Sequence, residues 1–157
     1  MPRISESNVC VQMVEPANYG SAGIDSDAVN LGLMAGVSLF ITFGAITGNS
    51  ILLVYNSATR DLKTTAIAFS YRFQAADFKV ALADQYGDKI AVAATGLTLT
   101  AATVDHRTIA VEIDSDTMLD GKPWLTFNID ATATVMNVAC VAIGKPRYPG
   151  HLIPSVL

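Results

Sequence analysis

Large apolar residues recur at every second position through much of this chain. Val37, Leu39, Ile41 and Phe43 share one face while Ser38, Phe40 and Thr42 share the other, and Ile109, Val111 and Ile113 stand opposite Thr108, Ala110 and Glu112. Leu125, Phe127 and Ile129 begin a third alternating run. A period of two belongs to a strand with one face on a core. Residues 64–73, TTAIAFSYRF, place Thr65, Ile67, Phe69, Tyr71 and Phe73 on one side and Ala66, Ala68, Ser70 and Arg72 on the other. Their aromatic and β-branched content predicts one strand rather than a helix.

Shorter signals fill the intervals. Residues 8–14, NVCVQMV, predict a strand closed by Glu15-Pro16, followed by a loop containing Gly20 and Gly23 and a brief strand within 27–31. Residues 51–56 are expected to pair with 37–43 as a hairpin through the turn GAITGNS. Residues 75–88 fit one or two helical turns, or a connection with a short strand at 80–83, and 84–88 read as a turn. Strands at 90–94 and 96–100 flank Thr95-Gly96, Asp120-Gly121 marks another turn, and 133–143 is a long uncharged run of β-formers.

Eight to ten strands without a substantial helix predict an all-β protein, an antiparallel β-sandwich or jelly-roll, since two half-apolar sheets must cover each other. A small closed barrel is the other architecture. The expected core is Val37, Leu39, Ile41, Phe43, Leu53, Ile67, Phe69, Val111, Leu125 and Phe127. Residues 1–144 form the sandwich domain with its N-terminal segment, and 145–157, KPRYPGHLIPSVL, form a proline-rich C-terminal arm. Pro146, Pro149 and Pro154 disfavour helix and central strand there, while Tyr148, Leu152, Ile153, Val156 and Leu157 make the arm too apolar for a solvated linker. These five are the expected assembly contacts, with the arm docked on a neighbouring subunit or folded back over its own sandwich.

Composition sharpens this picture. Of 157 residues, 51% are hydrophobic and 15% charged, against roughly 25% charged in an ordinary soluble domain. Either the surface is dressed in small uncharged residues or something covers part of it. The net charge is -4 and the basic residues are scattered singly from Arg3 to Arg147, which offers no footprint for a phosphate backbone and argues against direct nucleic-acid binding. No charge occurs between Asp27 and Arg60, but turn residues interrupt that stretch, so strands are expected there and no membrane span. The beginning, MPRISESNVC, has no long apolar region of the kind a secretory signal uses. Cys10 and Cys140 have no CxxC or histidine companion and read as two small buried thiols, with a bridge across about 130 residues left open.

Chemistry is sparse. His106 and His151 read as satisfied or solvent-facing imidazoles, no serine sits in GxSxG, and GAITGNS lacks the Lys-Ser/Thr ending of a phosphate loop. Glu112, Asp114, Asp116 and Asp120 read as solvated carboxylates guarding an edge, with a weak divalent-ion site as the alternative. Tyr71, Phe73 and Trp124 either fill a core or subunit contact or form a ligand platform of the carbohydrate-binding kind. The expectation is a protein that is not an enzyme, with no cofactor, no catalytic residues and no metal.

Three stretches, DSDAVNLGLMAGVSLFITFGAITGNSILLVYNSAT, TTAIAFSYRF and RTIAVEIDSDTMLDGKPWLTFNIDATATVMNVACVAIGKPRYP, together resemble small virion structural proteins of tailed bacteriophages. The succession is an opening loop, an uncharged strand pair, a TTAIAFxYR-like strand and an xEIDxDxLxxxxxxLxF element, spanning about residues 25–148. The resemblance implies a capsid decoration protein, a β-rich, non-enzymatic subunit that decorates or stabilises the head. Its implied partners are the major capsid protein and copies of itself, as a trimer or another symmetric homo-oligomer. Its implied place is the capsid exterior of the virion, after synthesis in the bacterial host cytoplasm. A phage tail component and a carbohydrate- or receptor-binding module are the alternatives.

Overall fold

A computed structural model of the chain describes residues 7–78, 80–81, 84–130 and 134–147. The strands are β1 (Val9–Asn18), β2 (Ile24–Asp25), β3 (Val29–Asn30), β4 (Met34–Thr47), β5 (Asn49–Ser57) and β6 (Thr65–Ala66). They continue with β7 (Phe69–Phe73), β8 (Ile90–Val92), β9 (Leu97–Thr100), β10 (Thr108–Asp114), β11 (Trp124–Ile129) and β12 (Val135–Pro146). One helical turn, α1 (Ala101–Val104), is closed by a capping box between Thr100 and Thr103. No helix among the described residues is long and apolar enough to cross a membrane.

The strands make two antiparallel sheets that face each other. The first has the order β1-β12-β4-β10-β7-β8, and the second β2-β11-β5-β6, with β3 also on β11 and β9 also on β5. Along the chain, β1, β4, β10 and β12 lie in the first sheet, and β2, β3, β5, β6, β9 and β11 in the second. The broken pair β2/β3 acts as one strand, and so does β6/β9. The sheet orders are then first-eighth-third-sixth and second-seventh-fourth-fifth, the interleaving of a jelly-roll. The β7–β8 hairpin is an excursion from the middle of that fifth strand, and it widens the first sheet beyond β10.

The two inner faces supply the core. Val37, Leu39, Ile41 and Phe43 of β4 meet a cluster that includes Leu52, Val54, Ile109, Val111, Leu125, Phe127 and Ile129, all buried. The alternating runs read from the sequence thus lie on their expected faces. The other architecture, a closed barrel, is not formed: the strands make two separate sheets.

Three expectations need correction. The strand pair 37–43 and 51–56 is not a hairpin: β4 is paired to β12 on one side and β10 on the other, so the chain turns at Gly48 (φ 87°) into the opposite sheet. Leu53 is not in the core. Ser50, Leu52, Val54 and Asn56 point inward, Leu53 is half-buried outside and Ile51 is 37% exposed; four consecutive apolar residues leave the phase of the alternation undetermined. Residues 64–73 are two strands, since β6 pairs with β5 and β7 with β10. The two strands expected about the turn at Thr95-Gly96 are both present, as β8 and β9, but they sit in different sheets.

β1 also runs past Glu15-Pro16 to Asn18. It is an edge strand with register shifts between Gln12 and Val14 and between Val14 and Ala17, a place where a proline without an N–H is tolerated. In the ambiguous segment, Gln74 bridges to Tyr86, and Gly87 donates to the Phe73 carbonyl, so the β7–β8 hairpin begins immediately after β7. Of the possible strand at 80–83, residues 82 and 83 lie outside the described residues.

Two substitutions test this packing. Phe69 is 6% exposed, so Phe69→Ala is expected to cost about 3–5 kcal/mol through the cavity it leaves, read from denaturant unfolding; an unchanged midpoint would remove Phe69 from the core. Gly96 has φ 92°, and an added Cβ would lie 2.8 Å from both Ile51 Cγ2 and the Leu52 carbonyl oxygen. Gly96→Ala is therefore expected to destabilise more than Gly121→Ala, where φ is 71° but nothing stands within 4 Å. Equal losses would show that backbone conformation alone sets the cost.

Candidate assembly surface

The side chains that alternate away from the core on the first sheet form its outer face. One row crosses five strands: Gln12, Val141, Phe40, Ala110 and Arg72 are successive cross-strand neighbours. The next row toward one end is Ala139, Thr42 and Thr108, joined by a 3.1 Å hydrogen bond between the two threonine hydroxyls. Toward the other end it is Cys10, Ile143, Ser38, Glu112 and Ser70. Over β12 and β4 the outward positions from Val135 to Ile143 and from Ser38 to Gly44 carry no charged side chain. Outward sheet positions facing only water are ordinarily polar; here Phe40, Val141 and Ile143 are half-buried by their neighbours alone.

Two hollows lie along this face. At the N-terminal end of β12, Ala17, Thr42, Gly44, Phe78, Asn137 and Ala139 line an apolar hollow of about 330 Å³. Phe78 is 45% exposed and meets His106 edge-to-face at 5.5 Å between ring centres. At the opposite end Ser38, Lys89, Glu112, Asp114, Ile143 and Lys145 line a second hollow of about 400 Å³. Within it Glu112 lies 3.4 Å from Lys89 Nζ, and also 3.4 Å from the neighbouring Arg72 Nε. The face thus grades from an apolar end to an end carrying charges of both signs.

The outer face of the second sheet also has an uncharged centre, with Ile51, Leu53 and Tyr55 of β5 and Trp124 and Asn128 of β11 pointing outward, and carries charge at its edge. Asp25 there accepts hydrogen bonds from Lys63 and from Asn128, and the Lys63 bond holds its carboxyl below the usual carboxylate range.

The residues singled out by sequence fall in separate places. Tyr148, Leu152, Ile153, Val156 and Leu157 lie outside the described residues, as does His151. The chain before them is fixed: β12 pairs Lys145 with Gly36 and Pro146 with Met34. Arg147 donates from its backbone to the Leu33 carbonyl at 3.2 Å, from Nε to the Met34 carbonyl at 2.9 Å and from Nη2 to Ser115 Oγ at 3.0 Å. The sheet pairing therefore extends beyond Gly144, the boundary expected for the sandwich.

Tyr71 is buried and packs edge-on against Phe73 at 5.0 Å, so this pair is core rather than an open platform. Trp124 is half-buried at a strand start beside Asn30 and Ser57. The acidic cluster contributes Glu112 to the ion pairs above, and the Asp114 carbonyl accepts from Thr117 Oγ1 at 2.7 Å. Among the described residues no group of three or more His, Cys, Asp or Glu side chains could hold a metal ion. His106 has φ 52° and lies 3.9 Å from the Asp105 carboxylate, while Asp105 itself accepts from the Ile46 N–H at 3.0 Å.

The cysteines do not match the expectation of two buried thiols. Both are free, but only Cys140 is buried, and Cys10 stands exposed on the edge strand. Their backbones are close in the sheet, Cys10 opposite Ile143 and Val14 opposite Cys140, yet Cys10 belongs to the outer face and Cys140 to the core. Alternation along one strand separates them. The phase of β1 and β12 was the missing signal, and it is set by pairing.

Comparison with protein-family models, with curated proteins and with solved structures finds no match to this chain.

Burial pushes the Cys140 thiol up to about 12, so it remains protonated and sheltered at neutral pH. A thiol reagent is expected to modify one cysteine per folded chain, Cys10, and two after unfolding. Two fast-reacting thiols in the folded protein would contradict the placement of Cys140.

Proposed function

We propose that this chain is a non-enzymatic virion structural protein that decorates or stabilises a phage capsid through protein–protein contacts. The observation that carries the reading is the uncharged, apolar outer face of the first sheet. Removing Phe40, Val141, Ile143 and their neighbours from water favours association at about 25 cal/mol per Å² of apolar area, and no charge at the centre of the face has to be desolvated. A subunit repeated over a shell needs only a modest contact per copy, since neighbouring contacts reinforce one another.

Two further features support it. The jelly-roll interleaving is an architecture used by viral capsid domains and by lectins, and fold alone does not choose between them. The three sequence stretches that resemble phage virion proteins include β4, β10 and β12, the strands at the centre of the outer face. In this reading the partners are the major capsid protein and further copies of the chain, on the capsid exterior.

Cryo-electron microscopy of intact particles tests it. The expected result is density for the sandwich at positions repeated with the shell lattice, with occupancy reduced by Val141→Arg. Density confined to tail rings would make it a tail component. Saturable glycan binding abolished by Trp124→Ala, with no density on the head, would overturn the structural reading in favour of a lectin-like one.

A further inference from the structure

We propose that the β8 edge of the first sheet pairs antiparallel with the β8 edge of a second copy, across a two-fold axis at Ala91, joining the two first sheets into one. The inference goes beyond the capsid reading: it concerns the edge of the sheet rather than its outer face, and it names a contact between copies.

The two edges of the first sheet are built differently. β1 carries two register shifts, Pro16 and the exposed Glu15, and bulges, prolines and charges are what keep an edge from pairing with another chain. Within Ile90–Val92, β8 has none of these: it pairs with β7 in unbroken register, and no strand lies on its other side. Every residue in 84–91 is exposed, so nothing among the described residues covers that edge. The nearest charge, Lys89, does not guard it. Its Nζ lies 3.4 Å from Glu112 of β10, two strands inward, so the side chain leans back over its own sheet.

The inner side of this edge is uncovered as well. Directly opposite residues of an antiparallel pair share a face, so Ile90, opposite the buried Tyr71, points to the side of the core, yet it is 46% exposed. β6, which the chain leaves shortly before β7, ends the second sheet on this side and is only two residues long, so the first sheet overhangs it. A backbone ladder accepts any strand, and the side chains along it select one. With the axis at Ala91, a small side chain meets its own copy, Ile90 faces Val92 of the partner subunit, and Lys89 faces Ala93 of the partner subunit. Apolar residues thus oppose apolar ones on the uncovered side, and no like charges meet. Each copy contributes this edge once, so the pairing is isologous and closes at two copies with no β8 edge left free. The contact is short, residues 89–93 of each copy, and association is therefore of the weak, concentration-dependent class.

Sedimentation equilibrium of the purified protein over a range of concentrations tests the pairing. The full chain is expected to dimerise reversibly. Ala91→Lys and Ala91→Glu each set like charges opposite one another at the axis, and each is expected to raise the dimer dissociation constant at least about fivefold. Ala91 is exposed in the single chain, so the circular dichroism spectrum is expected to stay unchanged. Mixing the two variants is expected to restore dimers as a one-to-one pair, which an effect on folding would not do. In a Cys10→Ser background, Ala91→Cys is expected to form an interchain disulfide on mild oxidation faster than Thr98→Cys, exposed on β9; should a charged variant fail to fold, this comparison carries the test. A chain monomeric at every soluble concentration, dimers indifferent to both charged variants, a mixture that restores nothing, or equal cross-linking rates would each overturn the proposal. The capsid reading fails separately: dimers absent from particles would sink it alone, and monomers present on capsids would sink only the pairing.

Discussion

Because β12 and β10 occupy both edges of β4, the chain leaving that strand at Gly48 has nowhere to pair in its own sheet. It crosses instead, and β5 begins the second sheet over the inward face of the first. The same back-and-forth recurs from β10 to β11 and from β11 to β12. Each crossing lays an apolar inner row against an opposing one, so Leu39, Ile41 and Phe43 are closed over by Leu52, Val54 and Phe127 without a disulfide or a long helix. Burial at this density is the principal favourable contribution to such a fold.

The central position of β4 also creates the outer face. A strand flanked on both sides exposes one set of side chains at the middle of a broad sheet, where β12 and β10 align Val141 and Ala110 beside Phe40. Charge enters toward the margin, through Glu112 with Arg72 and Lys89 and through Asp114 and Lys145 beside them. The outward positions of β5 and β11 on the second sheet are uncharged as well, so the low charged fraction of the chain leaves both outer faces with uncharged centres.

The two ends of the face have different chemistry, and Arg147, the last described residue, lies at the polar one, where it donates to the carbonyls of Leu33 and of Met34 at the start of β4 and to the Ser115 hydroxyl just after β10.

Side-chain alternation is a local property, and the features that depend on it alone were legible in the residues themselves. The inward sets Val37 to Phe43, Ile109 to Ile113 and Leu125 to Ile129, the all-β class and the turn at Asp120-Gly121 were all readable from neighbours two or three positions apart. The apolar character of the candidate surface was only half legible. Phe40 was visibly on the opposite face from Leu39, but nothing near it in the chain places it beside Val141 or Ala110. Where local polarity ran out, as in the four apolar residues Ile51 to Val54, the inward face of β5 could not be assigned to Leu52 and Val54. Pairing across long sequence separations decided that phase, split 64–73 between two sheets, replaced a hairpin with a crossing at Gly48, and left Cys10 outside while Cys140 went in. A strand's own alternation specifies that it has two faces; only the strands beside it and the sheet across from it determine which face is covered, and by what.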